Sequence, residues 1–285
     1  MPWSTIIFDL KKALLNGLRF LGNTNLFISF ASFFSVLGAA AFVGLELDYS
    51  LACFSFFAAL FTYNFQRRVG DLSEDQSYSK LGPAMMILGI FGMGYFVFQL
   101  ATYQLIVLGM TGLISLAYAY PFIPSERGKI SLRLVPGMKL WTIVLVWTIS
   151  CVILPIAPLE WNTSLIVLFT LQQAAFVTAL TIPFDIRDLP VDWPQQRTIP
   201  QMLGVKRARN LALAFLLFSA ASGLFLYLLD EISVNILLIH WSVLTASGAL
   251  ISKTQTESIE LYFSIAIDGM LILQGASFLL AKYYI

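Results

Sequence analysis

Apolar stretches of about twenty residues recur along this chain, and the connections between them alternate between very short and longer. A bilayer core takes roughly 20 apolar residues per helix. On that measure the pattern predicts nine spans, at about 26–45, 49–70, 83–101, 104–122, 135–157, 163–186, 207–228, 232–252 and 257–281. The short connections are 46–48, 102–103, 158–162 and 229–231. Ahead of the first span, Ile6, Leu10, Leu14, Leu18 and Leu21 repeat at helical spacing, with Lys11, Lys12 and Arg19 between them. That pattern predicts an amphipathic helix lying on the membrane. Asp9 interrupts the run and no small-residue cleavage site follows, which speaks against a cleaved signal peptide. The predicted fold is all-α: one polytopic membrane domain over 1–285, with an interfacial helix in 1–22 and a nine-helix bundle in 23–285.

Composition agrees. The chain is 58% hydrophobic and 12% charged, with mean hydropathy +0.80. A soluble domain carries about twice that share of charge. A net charge of +1 gives no support for a nucleic-acid partner. Cys53 and Cys151 fall in different apolar segments and read as small core residues. A single histidine, His240, excludes a multi-histidine metal site.

Lysine and arginine set the orientation. With nine spans, every basic residue except Lys282 falls on the side of the N-terminus. A miscounted span would scramble that asymmetry. The expectation is a cytoplasmic N-terminus and an outer C-terminus, in a bacterial cytoplasmic membrane.

The densest polar cluster is Asp185-Ile-Arg-Asp188-Leu-Pro-Val-Asp192, followed by Arg197-Thr198-Ile199-Pro200 and Leu203-Gly204. Steps of three and four return to one helical face. Pro190 should end the helix, so that Asp192 approaches from a loop. Oxygen clusters of this kind suit Mg²⁺, held by a few carboxylates and substrate phosphates. A second cluster, Asn64-Phe-Gln66-Arg67-Arg68-Val-Gly70-Asp71-Leu-Ser-Glu74-Asp75, ends the second span. Positions 64, 68, 71 and 75 share a helical face.

The 185–204 stretch resembles the second aspartate-rich motif of the UbiA-type membrane prenyltransferases. The resemblance implies that Asp185, Asp188 and Asp192 bind Mg²⁺ and the diphosphate of a polyprenyl donor. It also implies nine helices around a central apolar cavity, with the long loops cytoplasmic. The 64–75 cluster resembles the family's first motif, roughly Asn-Asp-x-x-Asp-x-x-x-Asp, but departs from it. Anchored on Asn64, the pattern puts Phe65, Arg68 and Leu72 where carboxylates belong. Anchored on Asp71 and Asp75, it puts Arg67 and Arg68 where the asparagine and first aspartate belong. Asp71 and Asp75 are the further metal candidates. Arg68 either meets the diphosphate directly or pairs with one of them.

The loop Tyr120-Pro121-Phe-Ile-Pro124 through Arg127, Lys129, Arg133 and Lys139 resembles the family's basic loop after the fourth helix, which helps to hold the diphosphate. Arg67 and Arg197 join this set of substrate-binding candidates. Asn64 either contributes to the site or bonds another helix. Asp268, near the middle of the last span, either lines the acceptor pocket or pairs with another helix, because a lone carboxylate at that depth costs about 2.5–3.5 kcal/mol. His240, Trp241, Gln172 and Gln173 read as structural polar contacts.

The most coherent function is Mg²⁺-dependent transfer of a prenyl group from a polyprenyl diphosphate to an aromatic or other lipid-soluble acceptor. The alternative is an isoprenoid carrier without catalysis on the same scaffold. An ion-coupled transporter fits less well, because the acids gather at one membrane face and transporter sites lie near the midplane.

Overall fold

A computed structural model describes residues 3–69, 78–125, 128–159 and 163–284, with side chains from residue 11 onward except at 78–80 and 163. Asp71, Asp75 and Arg127 lie outside the described residues. The described chain is helical apart from a short antiparallel hairpin, β1 Ile123–Ser125 and β2 Gly128–Ile130. The helices are α1 Trp3–Asn23, α2 Leu26–Phe42, α3 Tyr49–Val69, α4 Tyr78–Phe96 and α5 Thr102–Ala119. They continue as α6 Met138–Ile156, α7 Thr163–Asp188, α8 Ile199–Leu203, α9 Val205–Leu228, α10 Val234–Lys253 and α11 Tyr262–Tyr284.

A helix occurs at each predicted span, but not all have the same reach. Seven are long and apolar enough to cross a bilayer: those within α4, α5, α6, α7, α9, α10 and α11. The number rises to eight if α1 and α2 are taken as one broken span. Alone, α2 has 17 residues, and α3 ends in the polar sequence Asn64-Phe-Gln66-Arg67-Arg68. The chain is an integral multi-pass membrane protein. Between α1 and α2 the axis turns by 72°. Asn25 makes the turn in the left-handed region (φ 59°), where asparagine is tolerated better than most residues.

The interior is built from α6 and α7, the two spans with the largest buried share, while α4 is the most exposed. α7 packs between α6 and α9, and α2 between α3 and α11. Two helices widen to π geometry, α6 at Ile149–Ile153 and α11 at Tyr262–Ile267, just before Asp268. A cavity of about 20 Å³ lies among Trp147, Cys151, Phe169, Gln173, Gln274 and Phe278. That is room for about one water. Phe169, Phe176 and Phe263 are fully buried.

Candidate functional site

α7 ends at Asp188, as Pro190 predicts. The chain then turns back on itself: the amides of Val191 and Asp192 both donate to the Asp188 carbonyl, at 2.9 and 2.8 Å. That turn returns Asp192 to the face that carries Asp185 and Asp188. The next segment is fixed by two glutamines. Gln196 Nε2 donates to the Arg133 carbonyl at 2.7 Å. Gln201 Oε1 accepts from the Thr198 amide at 3.0 Å, and its Nε2 donates to the Trp193 carbonyl at 3.0 Å.

The same segment positions the start of α6. The Gly137 amide donates to the Gln196 carbonyl at 2.9 Å. Gly137 has φ 75°, a left-handed conformation that glycine adopts without strain. α6 starts at the next residue, and its first turn aims Lys139 at the end of α7.

Lys139 lies in the middle of the three carboxylates. Its Nζ is 2.8 Å from Asp188 Oδ2, 2.7 Å from Asp192 Oδ2 and 3.3 Å from Asp185 Oδ1. Its side chain is 6% exposed, and that of Asp185 only 1%. An ammonium has three donors, and here three carboxylates surround it. The hydrogen bonds go to Asp188 and Asp192. Among the described residues, neither oxygen of Asp185 has a hydrogen-bond partner within normal geometry, and its nearest contact is the 3.3 Å ion pair with Lys139. The arrangement also runs against both helix dipoles: a cation sits at the N-terminus of α6 and anions at the C-terminus of α7. The charges offset each other across the interface. Three carboxylates against one ammonium still leave a formal excess of negative charge. Burial pushes the Asp192 carboxyl above its ordinary range, against the pull of Lys139.

Arg187 closes the other side of Asp188. Its Nε donates to Asp188 Oδ1 at 2.8 Å, and its Nη1 to Glu260 Oε1 at 3.2 Å. The guanidinium lies over the rings of Phe184 and Phe263, at 5.1 and 5.4 Å. Asp268 is half-buried and within electrostatic range of Arg187 and Glu260. Tyr63, which accepts from Trp147 Nε1 at 3.0 Å, lies within electrostatic range of Asp268 in turn.

The other candidates are more dispersed. Asn64 is fully buried and its Nδ2 donates to the carbonyls of Thr24 and Leu60, at 3.1 and 2.7 Å. Arg67 Nη1 donates to the Asn23 carbonyl at 3.4 Å. Both tie α3 to the α1–α2 bend. Arg68, Lys129 and Arg197 are exposed. Arg133 is within electrostatic range of Asp192, with its guanidinium 5.9 Å from the Tyr118 ring, and its buried Nε has no hydrogen-bond partner among the described residues. Sequence reasoning missed Arg187, Glu260 and Tyr63. Arg187 carries a signal in hindsight: it lies inside the aspartate motif, one residue before Asp188. His240 and Gln172 are fully buried. His240 Nδ1 meets Gln274 Nε2 and its Nε2 meets Ser219 Oγ, both at 3.3 Å.

Three carboxylates in one place, one of them with unused buried oxygens, form a donor set suited to a hard cation. Among the described residues, no group of three or more acidic, histidine or cysteine side chains is placed to hold a metal ion. The cluster closes on Lys139 instead.

No family model matches the chain, and no curated protein matches it in sequence. Solved structures do match in fold. A structure of digeranylgeranylglyceryl phosphate synthase aligns with TM-score 0.58 over 95% of this chain and 99% of its own, at 14% identity. A UbiA homologue from Aeropyrum pernix K1 aligns with TM-score 0.59 over 89% of this chain and 97% of its own, at 14% identity. A UbiA homologue from Archaeoglobus fulgidus, bound to GPP and Mg²⁺, aligns with TM-score 0.53 over 92% and 97%, also at 14% identity. The chain has the fold of these membrane proteins along almost its whole length.

Proposed function

We propose that this protein transfers a prenyl group, within the membrane, from a polyprenyl diphosphate to an aromatic or other lipid-soluble acceptor. The observation that carries the reading is the convergence of Asp185, Asp188 and Asp192 at one end of a UbiA-like bundle, with Lys139, Arg187 and Arg133 around them. In the transfer, the C–O bond to the diphosphate breaks and the leaving group keeps the electron pair. The allylic carbon then bonds to the acceptor, which loses a proton. Asp185, Asp188 and Asp192, with Asp71 and Asp75 from the first cluster, are the groups that would hold Mg²⁺. Bound there, Mg²⁺ neutralises charge on the leaving diphosphate.

The chain's own cations take the rest of that charge. Lys139 and Arg133 lie next to the carboxylates, and Arg68, Arg127, Lys129 and Arg197 supply the looser basic rim. Arg187 orients Asp188 through a charge-assisted hydrogen bond. Asp268, within electrostatic range of Arg187 and Tyr63, is the group assigned to the acceptor side. The nine-span topology, the interfacial α1 and the cytoplasmic N-terminus belong to the same reading.

Turnover tests it. Purified protein with Mg²⁺, a prenyl diphosphate and a panel of lipid-soluble acceptors should release diphosphate catalytically and form a prenylated lipid. Tight binding without release across the whole panel would favour the carrier and overturn the transferase.

A further inference from the structure

We propose that Lys139 is the resident cation of the acid cluster, and that it makes metal binding conditional on diphosphate. This rests on the prenyl-diphosphate reading of the site. The ammonium lies between Asp185, Asp188 and Asp192, the carboxylates that would hold a divalent cation on that reading. The position is enclosed: the lysine side chain is 6% exposed and Asp185 1%. Metal alone therefore has to displace a buried ammonium from its three counter-ions.

Diphosphate changes that balance. Lysine carries its charge on a flexible four-carbon stem and shifts without moving the helix. With a polyanion beside the cluster, the ammonium can leave the carboxylates and bond phosphate oxygens while the metal takes its place. Asp185 shows that the ammonium fills the position incompletely. Both its oxygens are buried without a hydrogen-bond partner, although the nearer one is 3.3 Å from Nζ. A divalent ion would satisfy a group that the lysine leaves wanting. By linkage, if diphosphate strengthens metal binding, metal strengthens diphosphate binding by the same factor. Lys139 thus keeps the carboxylates compensated between turnovers and orders metal after, or together with, the donor.

The test measures protein-bound Mn²⁺ by equilibrium dialysis of the detergent-purified full chain, with Mn²⁺ alone and with Mn²⁺ plus inorganic pyrophosphate. Wild type should bind Mn²⁺ alone at least tenfold more weakly than with pyrophosphate. Lys139→Met should bind Mn²⁺ alone at least tenfold more tightly than wild type, and the gain from pyrophosphate should shrink. Lys139→Arg keeps the charge and should go on excluding the metal. The proposal is overturned if wild type binds Mn²⁺ equally well with and without pyrophosphate, if Lys139→Met gains no affinity, or if no protein binds Mn²⁺ in either condition. Should Lys139→Met fail to fold, the wild-type and Lys139→Arg measurements still decide. Coupled Mn²⁺ binding without turnover on any prenyl diphosphate would uphold the role of Lys139 and reject the transferase.

Discussion

Arg187 and Asp188 are sequence neighbours that bond side chain to side chain, Nε to Oδ1 at 2.8 Å. Neighbours on a helix normally diverge, and this pair can close because α7 ends there. The arginine also lies over two adjacent phenyl rings and against Glu260. A planar, stacked guanidinium is not replaced by an ammonium. Arg187→Lys should raise the Mg²⁺ concentration needed for half-maximal binding of a prenyl diphosphate by about tenfold, since a hydrogen bond to a charged group is worth roughly 1.5–3 kcal/mol. Titrating Mg²⁺ against a labelled donor measures it. An unchanged Mg²⁺ requirement would reduce Arg187 to a helix tether.

Asp185→Ala, Asp188→Ala and Asp192→Ala should each abolish Mg²⁺-dependent binding of prenyl diphosphate while the detergent-purified protein stays monodisperse. Asp185→Asn should be the mildest to folding, because Asp185 is the most distant of the three carboxylates from the Lys139 ammonium, at 3.3 Å against 2.8 and 2.7 Å. Wild-type donor binding in all three alanine variants would remove the metal from this site.

Gly38 and Gly275 bring α2 and α11 into backbone contact. A Cβ on Gly38 would lie 2.5 Å from the Cα of Gly275, and one on Gly275 would lie 2.1 Å from the Phe34 carbonyl oxygen. Backbone cannot yield as a side chain does. Gly275→Leu should lower thermal stability by several degrees or prevent folding, since overpacking costs about 1–3 kcal/mol and often more. Thermal unfolding in detergent checks it. A stable Gly275→Leu protein would mean that the two helices part readily.

Nine spans with the N-terminus inside predict that a reporter fused after residue 47 or 284 reads outside and one fused near residue 195 reads inside. An inside signal at 284 would leave an even number of crossings, as when α1 and α2 form one broken span.

Much of this fold was legible because the bilayer imposes one length on every span. The helix positions follow, and so does the break at Pro190 that returns Asp192 to the cluster. The ends were less legible. α4 starts at Tyr78 rather than near 83, because a helix runs on into polar sequence once its backbone bonds are made. The core of the site was half legible. The aspartate spacing pointed to convergence, and Lys139 was placed among the phosphate ligands. That it lies between the carboxylates depends on α6 packing against α7 and on a glycine turn tied to Gln196. No local pattern encodes those contacts. The size of the interior was not legible either, since abundant phenylalanine fits a lined cavity and a filled one equally well.

The ion cluster also constrains how the protein is made. Lys139 leaves the ribosome on α6, before any of its three counter-ions, which arrive on α7 and the turn beyond. A lone charge entering lipid is costly, and until then the lysine can keep its charge only by reaching back toward the headgroups. Asp185 has the same difficulty on α7, and α6 is its remedy. The two helices are therefore bound to settle in the bilayer as a hairpin. Burial of the lysine waits for Asp192, the last of the three to be synthesised.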